Sequence, residues 1–128
     1  MKISARSVSP ALLLILILCV GIWILEVQTK LFHRIYDEII LDNRNHYLPC
    51  AQLPAEAEVS QIMEDHQDLI KKIEQIHPGF VGVEMDNWTC PGRADIIFWY
   101  GTHEERLRVE DLIAGETFYG IPYRLENR

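Results

Sequence analysis

The longest block of apolar residues in the chain lies near its N-terminus. Residues 11–25 carry no charged side chain, whereas Lys2 and Arg6 precede the block and Glu26 ends it. A helix that spans a bilayer needs about 20 apolar residues, and Pro10 and Val27 extend this block towards that length. We therefore predict a transmembrane signal anchor over residues 10–27.

Two other interpretations of this block stay open. A cleaved secretory signal should end in small residues, but Trp23, Ile24 and Leu25 fit a peptidase site poorly. A lipoprotein signal could use Cys19, although Leu18 stands before it, where a small residue is expected. The pattern favours the uncleaved anchor over both.

The basic residues near the two ends of the anchor indicate its orientation. Lys2 and Arg6 favour a cytoplasmic location for the N-terminal side of the anchor. On the other side, nearby acidic residues offset the positive charge of Lys30 and Arg34. We therefore expect residues 1–9 to be cytoplasmic. The rest of the chain would then lie outside the cytoplasm, in a periplasmic, extracellular or lumenal space.

Residues 28–53 read as a juxtamembrane helix followed by a connector. Leu31, Ile35 and Ile39 recur at helical spacing, with Phe32 and Tyr36 beside them. Such a stripe predicts packing against something, which could be the protein's own domain, the membrane surface or another subunit. The polar cluster that follows contains Pro49 and Pro54 and predicts a loop.

Residues 54–128 predict a small domain with the element order α-β-β-α-β. The predicted elements are a helix over residues 54–76, strands over 80–86 and 94–100, a helix over 102–113 and a strand over 118–127. The residues His77–Pro78–Gly79 end the first helix, and Thr102 with Glu105 forms a capping box for the second. The run at 94–100 is almost wholly apolar, which is typical of a central strand.

These elements predict an α+β sandwich with both helices on one face of the sheet. The first two strands should be antiparallel, and a right-handed crossover should return the last strand parallel to residues 94–100. The topology resembles a ferredoxin-like fold that lacks a clear first strand. That analogy carries no function.

The other face of the sheet is a candidate interaction surface. Trp99, Tyr119 and Tyr123 are expected there, and the wider set of exposed aromatic residues adds Trp88, Phe32 and Tyr36. The alternative is that the juxtamembrane helix or the connector covers this face within the same chain.

Charge and cysteine content narrow the chemistry. The formal net charge of -7 argues against a nucleic-acid partner, which requires a basic surface. Cys50 and Cys90 are predicted to form a disulfide in an oxidising compartment. Asn87 opens a glycosylation sequon, which matters only in a eukaryotic secretory pathway.

Catalysis and metal binding have weak support in the sequence. Metal ligands could be drawn from two cysteines and three histidines, but none of them shows a ligand spacing; they are His46, Cys50, His66, Cys90 and His103. A nucleophilic Cys90 would need a partnered histidine, and no spacing indicates one. We therefore predict no catalytic residue, no cofactor and no metal.

Three functional hypotheses follow. The first is a non-enzymatic, single-pass membrane protein whose domain binds another membrane or extracytoplasmic protein, as an accessory subunit of a larger complex. The second is an extracytoplasmic domain that binds or senses a small ligand. The third, less favoured, is a thiol- or metal-dependent enzyme.

The intact mass of the protein purified from membranes tests the uncleaved anchor. We expect a mass that includes residues 10–27, because the end of the apolar block offers no small-residue cleavage site. A mature chain that begins beyond residue 25 would instead show a cleaved signal.

Overall fold

A computed structural model describes residues 9–128 of the chain. The predicted cytoplasmic segment, residues 1–9, therefore lies outside the described residues except for Ser9. The chain divides into two compact units, with the boundary between His33 and Arg34.

The N-terminal unit contains one long apolar helix, α1 (Pro10–Thr29). The Ser9 hydroxyl accepts a hydrogen bond from the Leu12 N–H, and Pro10 occupies the first turn, where its missing N–H costs nothing. Lys30 ends the helix in the left-handed conformation, with φ 52°. The helix is long and apolar enough to cross a bilayer, so it is a candidate membrane span or signal anchor.

A second helix and a connector lead to the domain. Helix α2 (Leu31–Ile39) is separated from α1 by Lys30 alone, so the predicted juxtamembrane helix begins at Leu31. Arg44 in the connector forms an antiparallel bridge with Leu125. A short 3-10 helix (Cys50–Gln52) follows, and Cys50 forms the predicted disulfide with Cys90.

The first predicted helix of the domain is two helices, and the prediction of one continuous helix was wrong. Helix α3 (Glu56–Asp65) ends and α4 (Gln67–Glu74) begins at His66, whose φ of -115° is not helical. The His66 ring stacks on the Tyr119 ring with 3.4 Å between centroids. Residue 66 is neither proline nor glycine, so local sequence gave no sign of the break.

Within residues 9–128, the sheet has three strands in the order β1-β2-β3. Strand β1 (Gly82–Asp86) is antiparallel to β2 (Asp95–Tyr100), and β3 (Tyr123–Asn127) is parallel to β2, as predicted. Helix α5 (His103–Ile113) connects β2 to β3 and has the predicted capping box. It ends at Ile113, as predicted, and Ala114 follows in the left-handed conformation.

The alternation of side chains along β2 separates the core from the opposite face. Ile96, Phe98 and Tyr100 are fully buried in the hydrophobic core with residues from α3, α4 and α5, among them Val59, Ile73 and Val109. The fold is therefore a mixed α+β structure with a central β2. The sandwich and its ferredoxin-like topology stay predictions.

Helix α5 also fixes the connector to the domain. The Arg106 guanidinium is almost wholly buried, and its Nη1 lies 2.8 Å from Oδ1 of Asp42. The Tyr100 hydroxyl donates a hydrogen bond to the backbone carbonyl of Asp42. A buried arginine needs such a counter-ion, so the start of the connector is tied to the core.

Loss of the disulfide should destabilise the domain. We expect the double substitution Cys50→Ser and Cys90→Ser to lower the free energy of unfolding by about 3–4 kcal/mol. The two cysteines are 40 residues apart in sequence, so the bridge closes a long loop and restricts the unfolded chain. Urea denaturation monitored by circular dichroism measures this. Cys19→Ser is the matched control, since Cys19 is free and exposed. An unchanged midpoint in the double variant would contradict a structural role for the bridge.

Candidate interaction surface

The register of the three strands places a mixed aromatic and charged face on the side of the sheet away from the core. Trp99 pairs with Gly82, and Ile97 pairs with Glu84 on one side and Arg124 on the other. Because paired residues project to the same side, these side chains share the face. We call it the outer sheet face, defined by Gly82, Glu84, Asp86, Asp95, Ile97, Trp99, Arg124 and Glu126.

Trp99 lies directly against the backbone of Gly82. A Cβ atom built on Gly82 would be 2.2 Å from Cζ2 of the indole, so only glycine leaves room for the ring. The indole itself is half-buried. Gly82 therefore sets the position of an aromatic ring that keeps one side accessible.

A groove of about 400 Å³ runs beside Trp99 along β1. Lys71 and Glu74 of α4 line one side, and Gly82, Val83 and Trp99 line the other. Strand β1 is an edge strand, since the sheet of the described residues has the order β1-β2-β3. An open strand edge beside an aromatic ring can receive an extended segment of another chain.

Ion pairs surround Trp99 and Ile97 on the outer sheet face. Nη2 of Arg128 lies 2.6 Å from Glu84 and 2.9 Å from Glu126, and Nη1 of Arg124 lies 3.2 Å from Glu126. A central aromatic group with a polar rim is the usual anatomy of a protein interface. The same ion pairs also restrict the movement of Glu84 and Glu126, the charged side chains next to Trp99.

The end of the outer sheet face near the β1–β2 turn contains a buried ionic network. The Arg124 guanidinium contacts Asp95 with Nε at 2.7 Å and Nη2 at 3.1 Å, and Nη2 also pairs with Asp86. Both aspartates are only 2% exposed. The Thr89 hydroxyl and the backbone N–H groups of Trp88 and Thr89 donate to Asp86, so the turn is held to the same network.

His46 brings the connector into this network. Its Nε2 lies 2.7 Å from Oδ2 of Asp95, and its Nδ1 lies 3.0 Å from the backbone N–H of Leu48. Nδ1 must accept the Leu48 hydrogen bond, which leaves Nε2 as the donor to Asp95. A cavity of about 210 Å³ lies here, lined by His46, Asp95 and Arg124 together with Leu53 and Cys90.

The two aspartates are held in the ionised form. Burial is the largest influence on the pKa of Asp95 and raises it, but hydrogen bonds from His46 and Arg124 and the charge of Arg124 outweigh burial and lower the pKa. Burial is also the largest influence on the pKa of Asp86 and raises it, but hydrogen bonds from Thr89 and the charge of Arg124 together outweigh burial and lower the pKa. Ionised, fully partnered carboxylates suit a structural network better than proton transfer.

The predicted aromatic residues do not all lie on the outer sheet face. Tyr123 pairs with Ile96 and therefore faces the core, where its hydroxyl donates to the Gly115 carbonyl at 2.8 Å. Tyr119 lies in a turn that precedes β3 and stacks on His66. The expectation that these tyrosines share a face with Trp99 was wrong, because residues 118–121 form a turn and the strand begins only at Tyr123.

The remaining predicted residues are in separate places. Trp88 is 61% exposed in the β1–β2 turn, and Phe32 and Tyr36 are exposed on α2. Asn87 donates from Nδ2 to Glu56 at 2.7 Å, and its glycosylation stays a prediction. Within residues 9–128, no group of three or more His, Cys, Asp or Glu side chains could hold a metal ion.

The sequence contains an indication of the ionic network that hydrophobic periodicity alone does not reveal. Antiparallel strands joined at residues 87–93 bring Asp86 and Asp95 opposite each other. Two buried carboxylates at paired positions require a cation, and the strand predicted to lie parallel to residues 94–100 contains Arg124.

No protein-family model, curated protein or solved structure matches this chain.

The ionic network predicts a loss of stability at acid pH. The folded-state pKa of Asp86 and of Asp95 lies below the unfolded value of 3.8, so their contribution is complete above that value and is lost as the pH falls through the folded-state pKa values. We expect Arg124→Gln to flatten this dependence below about pH 4. Denaturant unfolding as a function of pH measures it.

Arg108→Gln is the control for this experiment, since Arg108 is exposed on α5. It should keep the acid dependence of the unaltered protein. An Arg124→Gln variant that loses stability with acid as steeply as the unaltered protein would contradict the assignment.

Proposed function

We propose that this protein is a single-pass, membrane-anchored, non-enzymatic protein-interaction domain that serves as an accessory subunit of a membrane complex. The observation that carries the proposal is Trp99, which lies over Gly82 beside an open groove at the edge of β1. Aromatic side chains with a polar rim supply most of the affinity in protein interfaces. The partner would be another membrane or extracytoplasmic protein.

Two features of the chain support the proposed location. Helix α1 is a candidate span, and the Cys50–Cys90 disulfide fits a domain on the oxidising side of a membrane. With residues 1–9 in the cytoplasm, the domain would be extracytoplasmic.

Binding of a small ligand is the second candidate. A cavity of about 330 Å³ lies between α2, the connector and the turn before β3, and Arg34, Asp37, Arg44, Glu116 and Tyr123 are among the residues that line it. Its size is at the low end for small-molecule sites, and its mixed charges would suit a small polar ligand. Arg44 already pairs with Glu110 and Glu116, so a ligand would compete with these ion pairs.

Site-specific photo-crosslinking in native membranes tests the protein-interaction proposal. A benzophenone amino acid in place of Lys71, which lines the groove, should give one discrete adduct with a second protein. The same group in place of Arg108 should not. Trp99→Ala should lower the adduct yield from position 71 by about tenfold or more, as expected for a central aromatic contact.

Two further variants control for the fold and for position. Gly82→Ala should also lower the yield, because the added methyl group displaces the indole while Trp99 remains. Trp88→Ala should leave the yield unchanged, and retention of the disulfide verifies folding. A folded Trp99→Ala variant with full adduct yield would overturn the proposal; thermal stabilisation of that same variant by a small polar ligand would favour the second candidate.

A further inference from the structure

Helix α2 has one apolar and one polar side. The apolar side is a stripe at helical spacing that begins at Phe32 and continues through Ile35, Tyr36 and Ile39. The opposite side is polar and carries Arg34, Asp37 and Glu38. A helix at the surface of a domain normally turns its apolar side to the core and its polar side to water.

In this protein the polar side of α2 contacts the domain. The Asp37 carboxylate accepts a hydrogen bond from the Tyr47 hydroxyl, and the Arg34 guanidinium lies 5.3 Å from the centre of the Tyr47 ring. Glu38 lies 3.8 Å from the buried Arg106, and the Asp37 carbonyl accepts from the Asn43 N–H at 2.8 Å. These contacts fix which side of α2 faces the domain.

The apolar side is left uncovered among the described residues. Ile39 is 72% exposed, and Ile35 and Tyr36 are also exposed. Contiguous exposed apolar residues of this kind mark a site of interaction rather than a solvated surface. The stripe is therefore turned away from the protein's own domain, and an apolar environment outside the domain would cover it.

The short connection between α1 and α2 indicates which apolar environment covers the stripe. Lys30 is the only residue between α1, which is long enough to cross a bilayer, and α2. One residue spans at most about 3.5 Å, so the first turn of α2 cannot leave the membrane boundary. The stripe carries aliphatic and aromatic groups and no charge, which is the composition of helices that lie in the interface.

We propose that α2 lies in the interface of the same bilayer that holds α1, with Ile35, Tyr36 and Ile39 in contact with lipid. The inference rests on the membrane anchorage in the proposed function. Because the polar side of α2 is bonded to the domain, the domain would also be held directly on the lipid surface. The acidic groups on that polar side give no attraction to anionic lipid, so binding depends on apolar burial and needs only zwitterionic lipid.

Depth-dependent quenching of a fluorescent label tests this in the full-length protein. The label is attached to Ile39→Cys or Ile35→Cys in a Cys19→Ser background, with the Cys50–Cys90 disulfide intact, and the protein is inserted in phosphatidylcholine vesicles. Both labels should lose fluorescence to lipid nitroxides, more with a shallow nitroxide than with a deep one. Ser60→Cys, at an exposed position on α3, is the matched control and should keep its fluorescence.

The native Cys19 separates the failure of this inference from the failure of membrane anchorage. In the otherwise unaltered protein, a label on Cys19 in α1 should be quenched most by the deep nitroxide. If Cys19 is quenched but positions 35 and 39 emit as in water, or are shielded from water without quenching, α2 is not in lipid and the inference is wrong. If Cys19 is also unquenched, the membrane anchorage itself fails.

Discussion

The guanidinium of Arg124 joins parts of the chain that are distant in sequence. It pairs with Asp86 at the end of β1 and with Asp95 at the start of β2, and Asp95 in turn accepts a hydrogen bond from His46 of the connector. Two buried carboxylates on neighbouring strands repel each other unless a cation lies between them. The β1–β2 turn, strand β3 and the connector are therefore linked to one another through one charge.

The disulfide acts at the same end of the domain. Cys50 lies in the connector and Cys90 in the β1–β2 turn, so the covalent bridge and the ionic network restrain the same two segments. Arg106 and Asp42 hold the beginning of the connector, next to α2. The connector is thus fixed at both ends, which explains how a segment with little regular structure can orient α2 relative to the sheet.

The molecule has two different external surfaces. On the outer sheet face, Trp99 is held over Gly82 and framed by ion pairs of Glu84, Glu126 and Arg128. On α2, the apolar stripe points away from the domain to which its polar side is bonded. The first surface suits a protein partner and the second suits lipid, and each is available because a hydrogen-bonded network holds its residues in place.

The sequence by itself determined the apolar helix near the N-terminus, predicted over residues 10–27, and the strand order and directions of pairing. It also determined the capping box at Thr102 and the pairing of Cys50 with Cys90. Local periodicity, end signals and cysteine count are sufficient for these features. Only the tertiary structure decided the break at His66, the burial of Tyr123, the partners of Arg124 and the direction in which α2 turns its apolar stripe. Each of these depends on contacts between segments far apart in the chain, which no local pattern records.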